Sequence, residues 1–140
     1  MSIERYRILI EQLCTEFRIP QPRASYQAAV IPAYDTQFQL FHGGVLAPDS
    51  VLLYCDVGRL PQQAREAVLL RLLELNGDLF SIHDAVFTCD APSGTVALVC
   101  KLSLRQATLS STLVLLGHFG ELVQQWRRCY FLAPGAGEGT

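Results

Sequence analysis

Apolar positions in the first half of the chain change from a helical spacing to a strand spacing. Over residues 2–18 they recur every three or four positions, which predicts an amphipathic helix. Three strands are then predicted at 26–31, 37–40 and 51–57, and the first is expected to stop at Pro32. The third strand is apolar on both faces, which predicts a central place in a sheet or cover by a partner.

The second half of the chain predicts two helices separated by a strand pair. The first helix covers 62–75 and is expected to end at the Asn76-Gly77 pair, where glycine would supply a left-handed cap. Its apolar side chains span roughly 220° of the circumference, about twice the stripe that a single core contact requires. Strands at 85–89 and 95–104 and a last helix at 108–130 complete the pattern.

This order of elements, α-β-β-β-α-β-β-α, predicts an α+β fold in which helices pack on a twisted, mostly antiparallel sheet. A chain of 140 residues has room for one sizeable core, so we expect a single domain over residues 1–132. Residues 133–140 are mostly small, and we expect a flexible tail there.

The composition bears on the partners that the chain could bind. Half of the residues (50%) are apolar and only 17% are charged, so the chain is either a densely packed monomer or one that buries surface in a partner or a second copy. We favour the second interpretation. A net charge of −2 and a single lysine argue against nucleic-acid binding and against an anionic membrane surface. No apolar run approaches the ~18 residues of a membrane span.

Motifs for catalysis or for a cofactor are missing from the sequence, and neither a cofactor nor a metal is predicted. There is no phosphate loop, dinucleotide fingerprint or nucleophile elbow, and the three histidines do not have the spacing of metal ligands. The five cysteines are scattered among apolar neighbours without a CxxC pair, as in proteins of a reducing cytoplasm.

One segment, LFHGGVLA at residues 40–47, leaves an enzymatic alternative. A His42-Gly43-Gly44 loop could serve a thioesterase of the hotdog type, provided that a helix follows at once and polarises the thioester carbonyl. Pro48 and the strand-like run behind it argue instead for a turn between two strands. The thioesterase remains the alternative hypothesis.

Three segments of the sequence resemble one protein family. They are LLELN (residues 72–76), FTCDAPSGTVALVCKLSL (87–104) and GHFGELVQQWRR (117–128). They are similar to the class I type III secretion chaperones of the Tir-chaperone family, and the order of elements agrees. The resemblance implies a homodimer of the bacterial cytoplasm without enzymatic activity. It would bind the N-terminal region of a secreted effector, keep it soluble and export-competent, and rely on the export ATPase for release.

Two sets of apolar residues are the candidate sites under this hypothesis. An extended effector segment can add a strand to a sheet edge and place alternate side chains in apolar pockets. The candidate effector-binding residues are Leu13, Phe17, Ile19, Tyr26, Val30, Phe38 and Leu40. The candidate dimer residues, on the wide apolar helix and an adjacent strand, are Leu69, Leu70, Leu73, Val96 and Leu98.

Overall fold

The computed structural model describes residues 2–20 and 28–132, which form three helices and five strands in the predicted order. The predicted tail at 133–140 lies outside the described residues. The elements are α1 (Ser2–Glu16), β1 (Ala28–Ala33), β2 (Thr36–His42), β3 (Ser50–Arg59), α2 (Arg65–His83), β4 (Ala85–Asp90), β5 (Thr95–Ser103) and α3 (Leu109–Cys129).

The strands form one antiparallel sheet in the order β1-β2-β3-β5-β4. Strand β3 lies in the middle, as its two apolar faces predict. Helices α1 and α3 pack on one face of the sheet, which we call the inner face, and α2 packs against β4. The α+β fold with an antiparallel sheet is therefore confirmed.

The core lies between the inner face and helices α1 and α3, and α2 contributes Val68, Leu72 and Leu79 to it. Alternate residues of β1, β2, β3 and β5 point into it, as the period of two requires. A buried hydrogen bond also joins the two layers, because the Tyr6 hydroxyl of α1 donates to the Leu40 carbonyl of β2 at 3.1 Å. The largest fully buried side chains are Tyr6, Phe38, Phe119, Ile10, Leu13, Ile31, Leu40, Leu53, Leu98, Leu116, Val51 and Val68.

A two-residue turn connects β1 to β2. Tyr34 and Asp35 both have positive φ, at 53° and 59°, and Ala33 pairs with Thr36. Two consecutive left-handed residues define the type I′ turn, whose twist matches that of a β-hairpin. The turn packs on α3 at Gly120, where a Cβ would lie only 2.8 Å from the Cβ of Tyr34. A glycine in α3 therefore fixes how closely this hairpin approaches the helix.

The prediction that Pro32 stops the first strand is wrong. Strand β1 continues through Pro32 to Ala33. Proline is tolerated in an edge strand when the position of its missing N–H faces away from the neighbouring strand. That condition holds here, because β1 is the outermost strand on its side of the sheet.

The prediction that the second helix ends at Asn76-Gly77 is also wrong. Helix α2 begins later than expected, at Arg65, and continues to His83 before Asp84 ends it in a left-handed conformation. The Asn76 side chain does not cap the helix; it bonds to the backbone of Phe87 in β4. The sequence signal for a cap is thus explained by a contact to a different element.

Candidate protein-binding surfaces

Helix α2 has a buried side and, opposite to it, an exposed apolar stripe. The stripe consists of Leu70, Leu73 and Phe80, which are 62%, 69% and 62% exposed, with Gly77 among them. These positions follow each other at steps of three and four, so they lie on one face of the helix. A Cβ at Gly77 would meet no atom within 4 Å, so the middle of the stripe is open. We call these four residues the α2 stripe.

The structure divides the five predicted dimer residues into two groups. Leu70 and Leu73 belong to the α2 stripe, and Leu69 beside them is partly buried against the core. Val96 and Leu98 are buried, because their side chains point to the inner face of the sheet. They contribute to the core and offer no exposed surface in this chain.

The second surface is the outer face of the sheet, opposite to α1 and α3. Phe41 pairs with Leu52, Gln39 pairs with Tyr54, and the Phe41 and Tyr54 rings meet edge to face at 5.5 Å. Val30 of β1 continues the row next to Gln39 and is 46% exposed. Exposed apolar side chains in contact with each other typically mark an interaction surface.

The third surface is the free edge of β1. In an antiparallel ladder, successive residues point their backbone groups alternately toward and away from the partner. The type I′ turn closes with the backbone groups of Ala33 directed toward Thr36, so the backbone N–H and C=O groups of Ala29 and Ile31 are also directed toward β2. Val30 therefore directs its N–H and C=O away from β2, and no strand of the described residues lies on that side of β1 to bond to them.

The structure separates the seven predicted effector-binding residues by burial. Val30 is exposed on β1, and Phe17 and Ile19, at the end of α1, are partly buried. Three members are fully buried in the core, namely Leu13, Phe38 and Leu40. Tyr26 lies outside the described residues. Among the six predicted residues that the structure describes, only Val30, Phe17 and Ile19 are therefore placed where a bound segment could touch them.

Sequence reasoning missed the residues of the outer face, namely Phe41, Leu52 and Tyr54. A signal for two of them was present, because β3 is apolar on both sides. One side of β3 is the core side, and the other, with Leu52 and Tyr54, is the exposed side. Because the described helices α1 and α3 pack on the other face of the sheet, this second apolar side of β3 stays exposed.

The His42-Gly43-Gly44 segment forms a braced turn. The Gly44 N–H donates to Nδ1 of His42 at 3.0 Å, so Nδ1 carries no proton and Nε2 donates to the Pro48 carbonyl at 2.9 Å. Both ring nitrogens and the Gly44 amide are therefore engaged within the loop. The chain continues through turns to β3 at Ser50, where the thioesterase hypothesis required a helix. That structural requirement is not met.

Burial favours the neutral forms of Tyr6, Cys100 and His83. Burial raises the pKa of the Tyr6 hydroxyl to about 12 and, with Asp84 nearby, that of the Cys100 thiol to about 12. The His83 ring lies 5.1 Å from that of His118, and burial together with His118 lowers the pKa of His83. Within residues 2–20 and 28–132, no three His, Cys, Asp or Glu side chains are grouped so that they could hold a metal ion.

The described helices also include none with the length and apolar character needed to cross a membrane. The candidate protein-binding surfaces described above are the α2 stripe, the outer face of the sheet and the β1 edge.

Comparison with known proteins identifies the family. Residues 34–127, more than half of the chain, match the family described as Tir chaperone protein (CesT). The chain belongs to the CesT family. The matched region extends from the β1–β2 turn through most of α3, and it includes the segments on which the sequence resemblance rests, except for the last residue, Arg128. The predicted family is confirmed. Among curated protein sequences, none matches the chain significantly.

Solved structures share the CesT fold of this chain at low sequence identity. The crystal structure of the ExsC–ExsE complex matches with a TM-score of 0.69 and 17% identity over 89% of this chain and 92% of the matched one. The Yersinia pestis type III secretion chaperone SycH, in complex with a fragment of YscM2, matches with a TM-score of 0.66 and 15% identity over 86% and 98%. The HopA1–SchA chaperone–effector complex gives 0.66 and 13% over 92% and 98%.

Proposed function

We propose that this chain is a type III secretion chaperone that binds an extended N-terminal segment of a secreted effector and keeps it soluble and export-competent. Membership of the CesT family supports the proposal, as does the fold, which is shared with SycH and with the HopA1–SchA chaperone–effector complex. It rests most directly on the outer edge of β1, which no further strand of the described residues covers, and on the exposed apolar face of the sheet beside it.

The geometry of the β1 edge fits an extended peptide. The outward N–H and C=O of Val30 can form the two backbone bonds of an added strand, and its exposed side chain lies on the outer face. Residues that follow the docked strand can cross the sheet onto Phe41, Leu52 and Tyr54. Ordering an unfolded segment costs conformational entropy, and burial of these apolar side chains offsets that cost.

We also propose that the chaperone is a homodimer joined through the α2 stripe. A two-fold interface uses the same surface of both copies, and Gly77, between Leu73 and Phe80 in the α2 stripe, allows two helices to approach closely. Helix α2 lies beside β4, at the opposite end of the sheet from β1. The two β1 edges would therefore lie at the outer ends of the dimer, where one effector segment could reach both.

Two further parts of the proposal concern release and location. The sequence carries no phosphate loop, so the energy for unloading the effector is assigned to the external export ATPase. All five cysteines are free, and three of them are buried, which fits the reducing bacterial cytoplasm. The sequence also lacks a phosphate loop, a dinucleotide fingerprint and a nucleophile elbow, which supports a binding role without enzymatic activity.

Co-expression tests the function directly. The chain is produced with the N-terminal segment of the secreted protein encoded beside it, and co-purification from the soluble fraction is measured. We expect a soluble complex with the wild-type chain and at least a tenfold weaker complex with Leu52→Glu, which places a charge on the outer face. Leu46→Glu is the matched control, because Leu46 is 98% exposed in the β2–β3 turn. Equal binding by both variants would refute docking on the outer face.

A further inference from the structure

The free edge of β4 differs from that of β1 at one position. The Lys101 N–H of β5 donates to the Asp84 carbonyl at 3.2 Å, which sets the alternation of the β4–β5 ladder. With that alternation, Val86 faces β5, and the backbone groups of Phe87 and Cys89 point outward. Without a further contact, β4 would offer outward N–H and C=O groups to any extended chain.

Asn76 of α2 occupies this edge at Phe87. Its Oδ1 accepts from the Phe87 N–H at 2.6 Å, and its Nδ2 donates to the Phe87 carbonyl at 3.2 Å. A carboxamide carries the same donor and acceptor as a peptide group, so Asn76 makes the pair of bonds that one residue of a neighbouring strand would make. The side chain thus stands in for a sixth strand at the centre of the β4 edge.

The surroundings of Asn76 show that packing alone does not require an amide there. Helix α2 packs against β4, and it is anchored in the hydrophobic core by its buried residues Val68, Leu72 and Leu79. Position 76 is half-buried in the interior of the helix, where an apolar or a long straight side chain is favoured over asparagine. The two bonds to Phe87 are what an asparagine contributes at this position.

We propose that Asn76 closes the β4 edge to strand addition and so leaves the β1 edge as the docking edge for an extended segment. The part that concerns the docked segment rests on the proposed function; the closure of β4 does not. An open edge at both ends would allow a segment to add to either one, and would allow copies of the chain to pair through β4. Closing one edge gives the segment a single position on the chain.

Closure of β4 is tested without any effector. In the wild-type protein, amide hydrogen exchange of Phe87 should be at least tenfold slower than that of Cys89, although both amides point outward; similar rates would overturn the proposal. Asn76→Ala should form larger assemblies as its concentration rises, measured by light scattering, while its circular dichroism stays unchanged. An Asn76→Ala protein of wild-type size at every concentration would also overturn it.

A second variant distinguishes edge closure from a mere tether between α2 and β4. In Asn76→Ala combined with Cys89→Pro, proline removes the next outward N–H of β4, and the assemblies should disappear. If Asn76 only tethered α2 to β4, Cys89→Pro would not reverse the effect of losing Asn76. Assemblies that persist in the double variant would therefore count against edge closure. If Asn76→Ala does not fold, the exchange rates of the wild-type protein still decide the question.

The docking edge is tested with the effector segment used for co-purification. Val30→Pro removes the outward N–H of β1 and should weaken binding at least tenfold, whereas Cys89→Pro should bind as the wild type does. Equal losses in the two variants would overturn the assignment of β1 as the docking edge. If the wild-type chain binds no segment, the proposed function fails. The hydrogen-exchange and light-scattering results still test whether Asn76 closes the β4 edge.

Discussion

The proposed dimer depends most on Leu73, the most exposed leucine of the α2 stripe at 69%. Complete burial of a leucine side chain contributes about 1.5–3 kcal/mol, so the exposed part of Leu73 can contribute about 1–2 kcal/mol. A two-fold interface contains the residue twice, which gives about 2–4 kcal/mol for the dimer. Leu73→Glu removes this contribution and buries carboxylates, so the dissociation constant should rise roughly 30- to 700-fold or more.

Sedimentation equilibrium over a range of protein concentrations measures this change. Circular dichroism should be unaffected, because the Leu73 side chain points away from the core in the single chain. Val45→Glu serves as the control: Val45 is 96% exposed in the β2–β3 turn, so the same charge is introduced outside α2. If Leu73→Glu and Val45→Glu dissociate at the same concentration as the wild type, the α2 stripe is not the dimer surface.

Three further predictions concern single side chains. Gly77→Leu should weaken the dimer, and a tighter dimer would show that the two helices do not cross at this position. The same change should stabilise the isolated chain by about 1 kcal/mol in urea denaturation, because leucine favours the helix and a Cβ at position 77 meets no atom within 4 Å. Tyr6→Phe removes the bond to the Leu40 carbonyl and should cost about 1 kcal/mol of unfolding free energy near neutral pH. Because the pKa of Tyr6 is about 12 in the folded state against 10.0 normally, wild-type stability should fall as the pH rises from 10 to 12, and the variant should lack that part of the loss. At pH 8 a maleimide should label the exposed Cys89 within minutes. Cys100 is buried and has a pKa raised to about 12, so it should react only as fast as the protein unfolds. Equal labelling rates would contradict the burial of Cys100.

The order and type of the elements could be predicted because hydrophobic periodicity is a local property. The two apolar faces of β3 indicated its central place, and the leucine-rich pattern of α2 indicated a helix with apolar side chains both toward the core and toward the outside. Periodicity also separated the two faces of β2. It did not reveal which face points to the core, and for this reason Phe38 and Leu40 were assigned to a binding surface while Phe41 was missed.

The errors at Pro32 and Asn76 share a physical cause. Proline and Asn-Gly pairs end elements when only the local chain is considered. At Pro32 the deciding fact is the place of β1 at the edge of the sheet, and at Asn76 it is a bond to Phe87, eleven residues further along the chain. Both facts belong to the tertiary structure, so no reading of neighbouring residues could supply them.

The pairing of β3 with β5 has a consequence for the order in which the chain folds during synthesis. Strands β1, β2 and β3 are joined by short turns and can pair as soon as they leave the ribosome. The partner of β3 on its other side is β5, which brings Leu53 next to Cys100 only after α2 and β4 have been made. Until then, one edge of β3 has no partner strand in the nascent chain, and β3 is apolar on both faces. We therefore expect the interval before β5 emerges to be when this protein is itself most in need of protection from aggregation.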